Sequence, residues 1–330
     1  MTSRLATLAA AASALVLALT GCAGSTGASP AASGASGNGK TYKVGITQIV
    51  SHASLDAARE GFKKALADAG VQATYDEQNA QGDQATATSI AAKFNSDNLD
   101  LILAIATPTA QASAQAITNK PILFTAVTDP VAAKLVDSNE KPGSNVTGTT
   151  DMNPVADQIG LIKQIRPSAK SVGIIYSSGE VNSDVQVAAA KKAAAEQGLT
   201  VVTKTITTTA ELQQAANSIT ADALYVPTDN NVVSGLDSVV GVAEAKKIPL
   251  VVGEGDSVKK GGLITYGIDY EKLGYQTGQM AVKILTQGAK PADMPVESQK
   301  DITLMVNKKA AERMGVTIPE SLLSKAEVVG

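Results

Sequence analysis

From Tyr42 onward, short apolar runs alternate with stretches whose apolar positions recur every three to four residues. This is the rhythm of strands joined by crossover helices in a parallel sheet. The runs predict ten strands, at 43–47, 73–77, 100–106, 122–127, 171–176, 200–206, 223–226, 250–252, 263–266 and 302–306. The first helix is clearly written: Leu55, Ala58, Phe62, Ala65 and Leu66 share one face, Lys63 and Lys64 the other, and Gly70 is the stop. Gly198 and Gly288 are two later stops. Three predicted helix starts set a capping residue before a proline: Thr107-Pro108, Asp129-Pro130 and Asn153-Pro154.

Ten strands are too many for one mononucleotide-binding half, and 330 residues suggest about two domains. The polar segment NVTGTTDMN, residues 145–153, is the candidate boundary. Each half opens on a Val-Gly-Ile strand (44–46 and 172–174) and later has a strand running into Thr-Asp (Thr128-Asp129 and Thr228-Asp229). The spacings of the two pairs differ, so the likeness is architectural and not a sequence repeat. The expected fold class is α/β, with two Rossmann-like lobes built on parallel sheets and a cleft between them.

Composition narrows the chemistry. Hydrophobic residues make up 44% of the chain and charged residues 18%, enough to bury a large core. With 28 Lys+Arg against 31 Asp+Glu and no basic block, nothing marks a nucleic-acid partner. One Cys and one His leave no metal-ligand cluster and no internal disulfide. No G-x-S-x-G elbow or complete G-x-G-x-x-G is present, and Gly253-Glu-Gly255 stops short of the latter, so neither an enzyme nor a cofactor is expected.

Met1 to Gly21 carries one cation, Arg4, then an apolar run from Leu5 to Leu19 and no acid, the layout of a secretory signal. It ends in Leu19-Thr20-Gly21-Cys22, which resembles a bacterial lipobox, where Cys22 is lipidated and the peptide cut before it. Residues 22–40 are expected to be a lipidated flexible tether, since AGSTGASPAASGASGNG offers no large apolar residue. Gly34 to Thr41 matches the phosphate-loop pattern G-x-x-x-x-G-K-T, but a linker precedes it and a strand follows, the reverse of what phosphate binding needs.

Several segments, spread from Lys43 to the C-terminus, resemble the solute-binding lipoproteins of bacterial ABC importers, in the subgroup for aromatic amino acids. They include KVGITQ (43–48), LDAAREGF (55–62), QNAQGDQ (78–84), AIATP (104–108), FTAVTDP (124–130), YVPTDN (225–230), GEGDS (253–257) and YGIDYEKLGYQTG (266–278). The resemblance implies a type I periplasmic-binding-protein fold whose lobes, joined by three hinge crossings, close on a solute. Lobe 1 would take 41–150 and 266–290, and lobe 2 would take 151–265 and 291–330. The implied partners are a small amino-acid-like solute, an ABC permease with its cytoplasmic ATPase, and the membrane through the lipid anchor. A monomer on the outer face of the cell membrane is expected. A sensor for a membrane receptor, or a receptor for another small solute, is the alternative.

In open α/β sheets ligands bind beyond the carboxyl ends of the strands, so the residues just after each strand are the candidates. A zwitterionic amino acid needs donors for its carboxylate and an acceptor for its ammonium. Thr107 and Thr109 open a helix after a strand and offer a hydroxyl and free N–H groups. Thr128 and Asp129 end the next strand in the same way. Asp229, with Asn230, is a candidate ammonium partner, and Glu254 is its rival; each has a competing reading, as a helix cap and as a loop acid respectively. Asn182 and Ser183 are placed to reach the carboxylate from the second lobe, Gln48 and His52 to meet a polar ligand edge, and Tyr176 to supply a ring wall. Phe62 and Phe124 read as core.

Overall fold

The computed structural model describes residues 39–330. The expected signal peptide, Cys22, and all but the last residues of the tether and of the phosphate-loop pattern lie outside the described residues.

The chain visits two sheets in four stretches. The first runs β1 (Tyr42–Gln48), α1 (Ala53–Asp68), β2 (Ala73–Asn79), α2 (Gln84–Ser96), β3 (Leu101–Ile105), α3 (Thr107–Ala116), β4 (Ile122–Val127) and β5 (Val146–Thr150). The second begins with α4 (Val155–Ile165), β6 (Ser171–Ser177), α5 (Val181–Glu196), β7 (Thr200–Ile206), α6 (Leu212–Ser218) and β8 (Ala223–Val226). It continues through α7 (Asn230–Ser234), α8 (Leu236–Lys246), β9 (Leu250–Val252), α9 (Gly255–Lys259) and β10 (Ile264–Gly267). A third stretch returns as α10 (Tyr270–Gln287) and β11 (Glu297–Ser298). The last closes with β12 (Thr303–Asn307), α11 (Lys308–Met314), α12 (Glu320–Leu323) and β13 (Glu327–Val329).

The first sheet has the order β11-β5-β4-β3-β1-β2 and the second β13-β12-β10-β9-β8-β6-β7. Pairing is parallel throughout except where β12 runs antiparallel to β10. Each sheet carries its own apolar core. The central strands LILAI (β3) and ILFTAV (β4) are buried along their whole length, as parallel strands covered by helices on both faces must be. This is the α/β, two-lobed periplasmic-binding-protein architecture. Three crossings join the lobes, at 151–154, 268–269 and 299–302.

The crossings differ from the sequence expectation in two places. Tyr266 and Gly267 stay on β10 in the second sheet, where Gln158 Nε2 donates to the Tyr266 carbonyl at 2.6 Å. Residues 291–298 stay with the first lobe, because β11 adds beside β5 as a parallel edge strand. The strands missing from the expectation are β5, β11 and β13. The sequence of β5, VTGTT, reads as a linker, yet four of its five residues are buried. Its hydroxyls are satisfied inside the lobe: Thr147 Oγ1 donates to Met294 O at 2.7 Å, and Thr149 Oγ1 bonds with Thr125 and Thr277 hydroxyls.

The proline-marked starts also resolve differently. The cap position of α3 is Ala106, at φ 79°, and Thr107 is already helical. Pro154 occupies the cap position of α4. No helix follows Asp129; its Oδ1 accepts from the N–H groups of Val131 and Ala132 and closes a turn.

Helices α1 and α10 cross with their backbones nearly touching. A Cβ at Gly274 would run into the Ala58 carbonyl, and one at Gly61 into the Glu271 carbonyl. The α1 N-terminus and the α10 N-terminus are thereby held in one rigid unit beside the crossings.

Candidate ligand-binding cleft

Side chains from the carboxyl ends of strands in both sheets, together with one crossing residue and the first residue of α10, line one small cavity between the lobes. Leu55, Ala126 and Val233 form its apolar wall. The first lobe adds His52 and, at the start of α10, Tyr270, the second lobe Asn182, Thr228, Asn230 and Glu254, and the first crossing Asp151. Ala126, at the end of β4, holds φ at 56°, and Ala106 at the end of β3 holds 79°. Left-handed backbone at non-glycine residues is costly and gathers at ligand sites.

The cavity is rich in side-chain atoms without a hydrogen-bond partner among the described residues. His52 Nδ1, Asn182 Oδ1 and Thr228 Oγ1 line it, and Ser54 Oγ and Thr107 Oγ1 are buried near the same strand and helix ends. Folded proteins pair nearly all such atoms, each orphan costing about 1–3 kcal/mol. Their convergence between two lobes is the signature of a polar ligand.

Electrostatics point the same way. Asp151, Glu180, Asp229 and Glu254 are buried carboxylates, while no Lys or Arg lines the cavity. Asp151 accepts from Tyr270 Oη at 2.6 Å and Thr128 Oγ1 at 3.0 Å, tying the first crossing to the second and to the end of β4. Burial pushes its carboxyl above the usual range, against those two donors. Glu254 accepts from the N–H groups of Asp256 and Ser257 and from the Ser257 hydroxyl, and burial likewise raises it. Glu180 is pushed up to about 8 by burial and by the charge of Asp229. His52 is lowered to about 4 by burial, so its imidazole is neutral; the ring keeps some surface, but Nδ1 has none.

Of the residues singled out from sequence, the structure brings His52, Asn182, Asn230 and Glu254 into the cavity lining. Thr107 is buried nearby with its hydroxyl unpaired. The others are occupied inside their own lobes. Asp229 accepts from Ser177 N, Ser177 Oγ, Ser183 Oγ and Val232 N, which saturates its carboxylate and uses the Ser183 hydroxyl as well. Gln48 donates to Val50 O and Asp56, and Thr109 returns its hydroxyl to Ile105 O. Thr128 holds Asp151, Asp129 closes its turn, and Tyr176 packs against the second-lobe core. Glu254 is also no solvated loop acid, being 1% exposed.

Sequence reasoning missed Asp151 and Tyr270 as lining residues and Glu180 behind Asn182 and Asn230. Asp151 lay in the segment read as a boundary, and Tyr270 in the YGIDY segment that carried the family resemblance. Gln158 was missed too: its Nε2 donates to Gly253 O and Tyr266 O, and its Oε1 accepts from Tyr225, so it positions the loop bearing Glu254. A wider groove along the second and third crossings, touching Ala57, Lys259 and Gln299, holds none of the unpaired buried atoms. Among the described residues no group of three or more His, Cys, Asp or Glu is placed to hold a metal, and no helix is long and apolar enough to cross a membrane.

The family model described as ABC transporter substrate binding protein matches residues 43–329. This chain belongs to that family. It is a solute-binding protein of an ABC transporter, working outside the cytoplasm, and its family binds for transport and is not enzymatic. A curated relative, the tyrosine-binding protein of Clostridioides difficile (strain R20291), is 46% identical over 274 residues, covering 81% of this chain and 79% of the relative. A domain from Streptococcus pneumonia solved in complex with L-Trp is 40% identical, covers 88% of this chain and 100% of that one, and superposes with a TM-score of 0.85. The ligand-free, open structure of a substrate binding protein with adhesive properties from Clostridium difficile is 47% identical, covers 87% of this chain and 99% of that one, and superposes at only 0.66. Val181 of the second lobe packs against the first-lobe core, so the lobes touch beside the cavity.

Proposed function

We propose that this binding protein captures an aromatic amino acid, tyrosine or tryptophan, between its lobes and delivers it to an ABC permease driven by a cytoplasmic ATPase. The observation that carries the reading is the cavity itself, which combines buried carboxylates, an apolar wall and unpaired polar atoms within one closed interface. The tyrosine-binding and tryptophan-bound relatives support the choice of solute.

Roles follow from the chemistry of each group. Asp151, with only two hydroxyl donors and no cation, is the partner for the solute ammonium, and Glu254 stands beside it. The Thr107 and Thr228 hydroxyls and the neutral His52 ring are the donors open to the carboxylate. Leu55, Ala126 and Val233 take the ring, while Asn230 fixes the wall by donating to Glu180 at 2.6 Å. Asp229 leaves the list of ligand contacts. The proposal extends to the N-terminus: Met1 to Gly21 directs export, Cys22 is lipidated, and a monomeric receptor is tethered to the outer face of the membrane.

The first test is a thermal-shift screen of the purified protein against the twenty amino acids. At a hundredfold excess over Kd a ligand adds about 2.7 kcal/mol, a shift of a few degrees. Shifts with tyrosine or tryptophan are expected; a shift only with a non-aromatic solute would discard the assignment. For the anchor, Cys22→Ala in the producing cell should release the protein from the membrane fraction, and unchanged fractionation would remove lipidation.

A further inference from the structure

The cavity has two chemically different ends. Near the hinge stand the carboxylates of Asp151, after β5, and Glu254, after β9. At the other end stands Asn182, in the first turn of α5 after β6. In the second sheet β9 and β6 are separated by β8, so Glu254 and Asn182 start from strand ends two spacings apart, roughly 10 Å at about 4.8 Å per strand.

The Asn182 side chain is 3% exposed, and its orientation is fixed by its neighbours. Nδ2 donates to Glu180 Oε2 at 2.9 Å and to Thr228 O at 3.1 Å. Turning the amide over would set its oxygen against the Thr228 carbonyl and against Glu180 Oε2, which already accepts from Asn230 N and Nδ2, so the network decides which atom points where. Oδ1 is therefore an acceptor, buried in the cavity lining and without a donor among the described residues. An ammonium prefers a carboxylate to a neutral amide oxygen; Asp151 and Glu254 line the cavity, whereas Glu180 beside Asn182 is already bonded by Asn182 and Asn230. What Asn182 lacks is a neutral N–H or O–H at the far end.

We propose that Asn182 Oδ1 accepts the polar hydrogen of the solute's ring, the phenol O–H of tyrosine or the indole N–H of tryptophan, and that this bond makes the protein reject phenylalanine. The inference deepens the aromatic amino-acid reading and rests on it. A ring without a donor leaves Oδ1 buried and unpaired, and sites built to bond a substrate hydrogen discriminate strongly against analogues that lack it. The unpaired Thr228 hydroxyl, in the same wall, can rotate to follow either ring.

Calorimetry with four ligands tests this on the unaltered protein: tyrosine, 4-aminophenylalanine, phenylalanine and 4-fluorophenylalanine. The first two carry a ring donor; the last two do not. Tyrosine and the amino analogue are expected to bind about ten- to a hundredfold tighter than the other pair, the range set by one unsatisfied buried acceptor. Asn182→Leu should weaken tyrosine by a similar factor and leave phenylalanine unchanged or tighter. Equal affinity across the four ligands overturns the proposal, as does a uniform loss in Asn182→Leu, which would give the amide to the α-ammonium. If the variant does not fold, the ligand series decides alone. Failure of all four to bind would instead sink the aromatic amino-acid reading, a result distinct from binding without discrimination.

Discussion

Asp229 and Glu180 show how one type of side chain serves different ends within a single wall. Four donors converge on the Asp229 carboxylate, two of them backbone N–H groups, so it knits β6, α5 and α7 together. Asp229→Ala should lower stability by about 3 kcal/mol in chemical denaturation, since several buried donors lose their acceptor; a loss under 1 kcal/mol would return Asp229 to the ligand. Glu180 is raised from its ordinary value to about 8, so the folded protein holds a proton there that the unfolded chain releases near 4.5. Its contribution is complete below pH 4.5 and is lost as pH rises towards 8. Glu180→Gln should flatten that limb of the stability profile, as a series of urea melts across this range would show. Sequence placed Asp229 at a strand end correctly but could not reveal its partners, because Ser177 and Ser183 lie 52 and 46 residues away.

At the scale of elements, the contact of α1 with α10 does most to locate the site. The start of α1 carries Leu55 and is preceded by His52, and the start of α10 carries Tyr270, so any shift between these helices moves three lining residues. Gly274→Ala should cost about 1–3 kcal/mol by overpacking and weaken the solute as well. Gly160 in α4 meets nothing within 4 Å, so Gly160→Ala should add about 0.5–1 kcal/mol through helix propensity and leave affinity unchanged. Thermal melts and binding isotherms of the two variants separate the effects, and equal behaviour would refute the close-packing account. The same contrast explains what could be read beforehand. The amphipathic face of α1 was plain in the spacing of its apolar residues, whereas β5 was hidden because its buried hydroxyls find partners on β4, α10 and the segment before β11.

For the whole molecule, closure buries His52 of the first lobe against the second, where Asn230, Asp256 and Lys260 surround it while Asp56 approaches from its own helix. Burial lowers the imidazole from 6.5 to about 4, so protonation opposes the closed arrangement. The contribution is present above pH 6.5 and is lost as pH falls towards 4. Stability of the solute-free protein should therefore fall over that interval, and His52→Gln should make the decline shallower. Titrations of the two proteins at matched ionic strength check this, and parallel pH profiles would exclude His52 from the closing interface.

Sequence by itself determined the order and type of most elements, the division into two α/β halves and the family, because periodicity, helix stops and short motifs are local properties of the chain. Tertiary structure decided the strand orders, the placing of β11 in the first lobe, and which polar residues remain free for a solute. The reason is that hydrogen-bond satisfaction is settled between distant residues. Asp151 meets Tyr270 across 119 positions, Asp229 accepts from serines of β6 and α5, and Asn182 keeps one unpaired oxygen only because two neighbours in space fix its amide.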